Sequence, residues 1–164
     1  MPSEPVKAIF LDRDGVLNRE RGDYTWQLED FMLNKQVIDA LKIFQERKYL
    51  LVVISNQGGI AKGMYTKEQV EYLHLHLCRV LKNHGIVLQE IYYCPHHPDI
   101  SKCICRKPDS LLLEKAIARF NIDTANSYFI GDAERDVEAG KKAGVATIQI
   151  RPNSSLMDVI HLVD

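Results

Sequence analysis

Four aspartates stand where chemistry could be done. Asp12 closes the apolar run VKAIFLD, Asp14 follows two residues later ahead of Gly15, Asp132 closes SYFIGD, and Asp136 lies one helical turn further on. Carboxylates grouped in this way can hold a hard divalent cation, attack an electrophile or carry a proton. Like charges at close range are tolerable only around a cation or with shifted pKa values. Such a cluster, with little neutralising charge beside it, calls for an ion that prefers oxygen ligands, and Mg²⁺ fits best.

A second group of residues speaks for a softer metal. Cys94-x-His96 and Cys103-x-Cys105 are two short ligand pairs separated by a six-residue loop, a Cys₃His set suited to tetrahedral Zn²⁺. With all four positions filled by protein the site would be structural, because catalytic zinc keeps one position open for water. A disulfide is the weaker alternative in a chain expected to stay in a reducing compartment, and idle thiols in one loop would invite oxidation. The metal is expected to fold a loop with no core of its own, and so to hold Arg106 and Lys107, which directly follow the last ligand, over the acidic crevice. His97 reads as a solvated loop residue, and Cys78, among Leu77, Val80 and Leu81, as part of the core.

Composition limits what these groups can serve. At 164 residues, 46% hydrophobic and 26% charged, the chain is the size of one ordinary domain and needs no staple to bury a core. No repeat, low-complexity tract or linker divides it, so residues 1–164 are read as one domain. A net charge of −1 gives no footprint for nucleic acid and no basic face for a membrane. The start, MPSEPVKAIFLD, lacks a basic stretch followed by a long apolar run, and no apolar run reaches the roughly 18 residues of a membrane span. A cytoplasmic monomer with a small-molecule partner is the expectation.

The elements that must position these residues alternate. Apolar runs at 6–12, 49–56, 88–94, 127–132 and 145–150 read as strands; amphipathic patterns at 35–48, 66–85, 110–120 and 134–144 read as helices, and the tail from Asn153 as a last helix. Thr66 with Gln69 three residues on forms a capping box, and Gly144 closes the helix before the fifth strand. This order predicts an α/β fold, a Rossmannoid doubly wound parallel sheet in three α/β/α layers, without a large cap domain and with a zinc-stapled loop. Ligands of such a sheet bind beyond the carboxyl ends of its strands. Those ends carry Asp12, Ser55-Asn56 and Gly131-Asp132.

The motifs FLDRDGV, VISNQ, CRKP and IGDAERD occur in that order over nearly the whole chain and resemble those of the haloacid dehalogenase superfamily of phosphotransferases. The resemblance implies that Asp12 is the nucleophile, forming an aspartyl-phosphate, and that Asp14 is the acid that protonates the leaving alcohol and then the base that activates water. It implies that Asp12, Asp14 through its main-chain carbonyl, and Asp132 hold Mg²⁺, that Lys107 and Ser55 contact the transferring phosphoryl group, and that Asp136 supports Lys107 or the metal. Asp14 is expected to be protonated, its pKa raised by the neighbouring carboxylates.

Within that superfamily, IFLDRDGVLN, VVISNQGGIAKGMYT and YYCPHHPD…CICRKP resemble the zinc-loop phosphatases of heptose 1,7-bisphosphate, with histidinol-phosphate phosphatases as the alternative. The likeness implies a Mg²⁺-dependent sugar-bisphosphate phosphatase acting in nucleotide-activated heptose and lipopolysaccharide core precursor synthesis. It also implies a pocket lined by Arg19, Glu20, Arg21, Gly22, Asn56, Gln57, Gly58 and Arg106, with Lys62 a further cation for the second phosphate and the Tyr24/Trp26 segment a flap. Ala133 departs from the polar or basic residue usual after the metal-binding aspartate. A receiver-like phosphoacceptor signalling domain would share the sheet, the Asp, Mg²⁺ and a Lys, but its acceptor aspartate would end the third strand, which here runs into Cys94.

Overall fold

The computed structural model describes residues 3–164. Five strands, β1 (Ala8–Leu11), β2 (Leu50–Asn56), β3 (Leu88–Cys94), β4 (Tyr128–Gly131) and β5 (Ala146–Gln149), alternate with four helices, α1 (Val37–Glu46), α2 (Lys67–Asn83), α3 (Leu111–Phe120) and α4 (Glu134–Ala143). All strand pairings are parallel, in the order β3-β2-β1-β4-β5.

Strand periodicity sorts the core into two layers. Ile9, Leu11, Leu51, Val53 and Ile130 face one side of the sheet, with Val37, Leu41 and Phe44 of α1 and Leu77 and Leu81 of α2. Ala8, Phe10, Val52, Ile54 and Phe129 face the other, with Leu112, Leu113 and Ala116 of α3 and Ala139 of α4. Successive residues point to opposite faces, so runs apolar at every position, such as AIFL and LVVI, are what a sheet covered on both sides demands.

The expected helix signals are present. Thr66 and Gln69 cap α2 reciprocally, and Gly144 ends α4 in the left-handed region at φ 81°. The tail differs from expectation: Leu156–Leu162 is a 3₁₀ helix. Arg47, which caps the C-terminal end of α1, donates to the carbonyls of Ile160 (2.9 Å) and Val163, so this end satisfies its acceptors without a further α-helical turn. Among the described residues no helix is long and apolar enough to cross a membrane.

Candidate active site

The topology of the sheet gathers the aspartates. Strand order reverses between β1 and β4, and Asp12 prolongs that pairing by donating its N–H to Ile130 O (3.1 Å). Asp132, next after β4, and Asp136, in the first turns of α4, then face Asp12; one carboxylate oxygen from each lies within 4.8 Å of the others. Gly15 makes the approach possible. Its φ is +89°, and a Cβ there would sit 1.9 Å from Asp132 Oδ2. Asp136 is fixed in turn, its Oδ2 accepting from the N–H groups of Asp132 and Ala133, both at 3.2 Å.

Lys107 enters this cluster from the far end of the cysteine loop. Its Nζ is 3.0 Å from Asp12 Oδ1 and 2.7 Å from Asp136 Oδ1, and donates to Ile54 O at 2.8 Å. Burial opposes its charge, but Asp12 and Asp136 outweigh burial and hold the ammonium above the usual lysine range. One lysine does not balance three acids. Burial pushes Asp12 well above the usual carboxylate range, and Asp136, Asp132 and Asp14 push the same way against the pull of Lys107; burial raises Asp132 as well. Crowded, desolvated carboxylates that resist ionisation are what a hard divalent cation would relieve, so this donor set fits Mg²⁺. Among the side chains Asp136, rather than Asp14, completes the acidic trio.

Asp14 departs from expectation in its charge. Burial favours its neutral form, but the Arg13 guanidinium and hydrogen bonds from Asn18, Arg13 and Gln57 outweigh that and hold it below the usual carboxylate range. Its Oδ1 accepts from Arg13 Nη2 (2.9 Å) and Asn18 Nδ2 (2.9 Å), and its Oδ2 from Gln57 Nε2 (3.0 Å). Donors aimed at both oxygens stabilise the anion more than the neighbouring acids destabilise it. Arg13 itself is fully buried, held also by Thr25 O (2.6 Å) and by His74 Nε2, 3.1 Å from its Nη1. Burial and Arg13 drive the His74 imidazole down to about 3, so it stays neutral and accepts.

The cysteine cluster assembles at the end of β3. Cys94 Sγ lies 3.4 Å from His96 Nδ1, 3.7 Å from Cys103 Sγ and 3.1 Å from Cys105 Sγ, which is 3.2 Å from His96 Nδ1. All four cysteines are free. Three thiols and one imidazole converging on one point are the donor set of a closed tetrahedral Zn²⁺ site, so the set fits that ion and leaves no open position. Arg106 then donates to His96 O (3.1 Å). Asn56, ending β2, grips the next residue twice: its Oδ1 accepts from Lys107 N–H (3.0 Å) and its Nδ2 donates to Lys107 O (3.2 Å).

Above the acids opens a cleft of about 380 Å³ lined by Asp12, Asp14, Glu20, Gly22, Asn56, Gly58 and Arg106, together with Asp23, Tyr24 and Arg135. Five of the eight expected pocket residues are therefore on its surface. Gln57 is not: it is buried, and its amide donates to Asp14 and Ser55 (2.8 Å) while accepting from Tyr65 O–H (2.7 Å). Ser55 is likewise fully buried at the foot of the site. Arg21 braces its own loop, bonding Tyr24 O (3.3 Å) and lying 3.3 Å from Asp30; Arg19 is exposed outside the cleft. Lys62 faces Asp99 (3.8 Å) rather than the cleft. His97 is not solvated, with a side chain 17% exposed; it and Arg106 press so closely on Gly58 that a Cβ there would lie 2.9 Å from each. Trp26 stacks on Tyr65, with ring centroids 6.1 Å apart, and Tyr24 meets the same ring edge-on at 5.7 Å. Cys78 is half-buried rather than in the core.

A doubly wound parallel sheet with an acidic crevice at its carboxyl rim, crossed by one buried lysine, defines a haloacid dehalogenase-like hydrolase. The HAD-hydrolase-like family model matches residues 104–156. A D-glycero-beta-D-manno-heptose-1,7-bisphosphate 7-phosphatase of Haemophilus ducreyi is 44% identical over 147 residues, 86% of this chain and 80% of the relative. A D-glycero-alpha-D-manno-heptose-1,7-bisphosphate 7-phosphatase of Photorhabdus laumondii is 38% identical, over 88% of this chain and 82% of the relative. The crystal structure of D,D-heptose 1,7-bisphosphate phosphatase from B. bronchiseptica, complexed with magnesium and phosphate, superposes with a TM-score of 0.81 at 30% identity, covering 86% of this chain and 78% of that one. The chain belongs to the D-glycero-D-manno-heptose-1,7-bisphosphate 7-phosphatase family of these hydrolases.

Proposed function

We propose that the protein hydrolyses the 7-phosphate of D-glycero-D-manno-heptose 1,7-bisphosphate, supplying a precursor of nucleotide-activated heptose. The carrying observation is Lys107 Nζ lying between Asp12 (3.0 Å) and Asp136 (2.7 Å) under a cleft that also holds Arg106. This arrangement supports reading Asp12 as the nucleophile, the buried Lys107 beneath the cleft as the cation for the transferring phosphoryl oxygens, and Arg106 as the cation for the retained phosphate.

Asp12 attacks phosphorus, and the bond from phosphorus to the sugar oxygen breaks as Asp14 gives that oxygen a proton. Arg13 keeps Asp14 ionised beforehand; the proton can arrive with the substrate, since a phosphate monoester has a second pKa of about 6. Asp14 next removes a proton from water, the resulting hydroxide attacks the aspartyl-phosphate, and inorganic phosphate leaves Asp12 free. Mg²⁺, held by Asp12, Asp132 and the main chain at Asp14, would supply charge neutralisation and orientation. Lys107 offsets charge on the phosphoryl oxygens, with Asp136 and Asn56 fixing its position. The free thiols support a cytoplasmic location.

The test is kcat/KM on both heptose bisphosphate anomers, fructose 1,6-bisphosphate and histidinol phosphate. A heptose bisphosphate should lead by at least about tenfold. Preference for histidinol phosphate would overturn the substrate reading; activity in Asp12→Asn would overturn the mechanism.

A further inference from the structure

The loop after β5 reaches back to the cleft through Asn153. Its φ is +66°, in the left-handed region that asparagine tolerates better than most residues. Its main-chain N–H donates to Gly15 O (2.8 Å), in the turn that carries Asp14. Its carboxamide oxygen accepts from Glu20 N–H (2.7 Å), and its carboxamide nitrogen donates to Glu20 O (3.0 Å). One side chain thus pairs with both main-chain groups of Glu20, as a neighbouring strand would. Glu20 Oε1 then accepts from Gly22 N–H (2.7 Å).

These bonds matter because of what they hold. Glu20, Gly22, Asp23 and Tyr24 form one wall of the cleft, yet Arg21, Gly22 and Asp23 are exposed. A segment that buries so little is ordered chiefly by its polar tethers. At its far end Tyr24 rests on Tyr65; at its near end the tether is Asn153.

We propose that Asn153 is a positioning residue that fixes the Glu20–Tyr24 wall against the catalytic turn, and that this wall sets the fit of the sugar rather than of the transferring phosphoryl group. The proposal rests on the sugar-bisphosphate reading above. Asn153→Gly accepts the left-handed backbone while deleting both carboxamide bonds. Asn153→Asp keeps the acceptor but sets a carboxylate oxygen against Glu20 O.

In Asn153→Gly, KM for the heptose bisphosphate should rise about tenfold with kcat within about twofold, while kcat/KM on p-nitrophenyl phosphate, an ester without a sugar, stays within about twofold. Amide exchange at Glu20 and Gly22 should quicken by about tenfold in both variants. Unchanged KM and exchange, or an equal loss on both esters, would overturn the proposal. Should the wild-type protein fail to turn over heptose bisphosphate, the substrate reading falls by itself, and exchange at Glu20 and Gly22 still decides whether Asn153 holds the wall.

Discussion

The carboxylate crevice and the cysteine cluster each gather ligands for a cation, but they are built in opposite ways. Asp12 and Asp132 hang from the ends of adjacent hydrogen-bonded strands, and Asp136 from a helix packed on the sheet. Cys103 and Cys105 lie in a segment without regular structure between β3 and α3, where Ile100 and Ile104 are exposed rather than packed. The sheet fixes the first cluster at the cost of forcing acids together. In the second, Cys94 is buried and Cys103 and Cys105 are only partly packed on the core, so a metal would have to provide the remaining order. Loss of metal should therefore abolish chemistry in one cluster and structure in the other.

The sharpest way to break this contrast is Asp12→Asn. Turnover should fall on the order of 10⁴-fold or more, with zinc content unchanged by metal analysis. Cys103→Ser should act on the other side, lowering the melting temperature and weakening phosphate binding together, since a structural zinc carries on the order of 10 kcal/mol of local folding free energy. Unaltered melting would refute the loop-folding role. Removal of Mg²⁺ by a chelator too weak to extract zinc should stop turnover and leave melting nearly unchanged.

Gly15→Ala sharpens the comparison on the sheet side. The methyl group would meet the Asp132 carboxylate in a backbone region costing about 1–2 kcal/mol for an L-residue. The expected result is a loss of activity of about a hundredfold with a raised Mg²⁺ requirement, read by kinetics at varied Mg²⁺.

The smallest effect concerns pH. His74 is buried and neutral with its pKa driven down to about 3, so the unfolded chain, with histidine near 6.5, binds the extra proton. Its contribution is present in full above about pH 6.5 and is lost as pH falls toward 3. Denaturant titrations should show His74→Gln losing less stability than wild type over that window, by a few kcal/mol. Parallel pH curves would exclude this role.

Much of this was legible in the sequence because two periodicities and a handful of caps report directly on main-chain geometry. All five strands and four α-helices lie where the apolar patterns put them, and the strand ends pointed to Asp12, Asn56 and Asp132. The zinc ligands were legible for a different reason: soft donors at close spacing have few other uses. What stayed hidden depends on where side chains turn after regular structure ends. Gln57 follows β2 by one residue and swings inward to Tyr65 and Asp14, a direction that no periodicity encodes. Arg13, charged and between two aspartates, gives no sign in the sequence of being buried, yet Asp14, Thr25 O and His74 receive it in the interior. The ionisation of Asp14 was misread because counting nearby acids omits the donors that face it. Arg135 gives no signal in its helix beyond charge, and no periodicity tells Arg19, exposed outside the cleft, from Glu20, which lines it.

The double grip of Asn56 on the peptide unit of Lys107 carries an architectural lesson. The Lys107 ammonium is registered to the second strand as well as to the cysteine loop that precedes it. A change in the length of residues 97–102 is then expected to leave the separation of Lys107 and Asp12 nearly as it is, so long as Asn56, Asp136 and the Ile54 carbonyl keep their hold on the lysine.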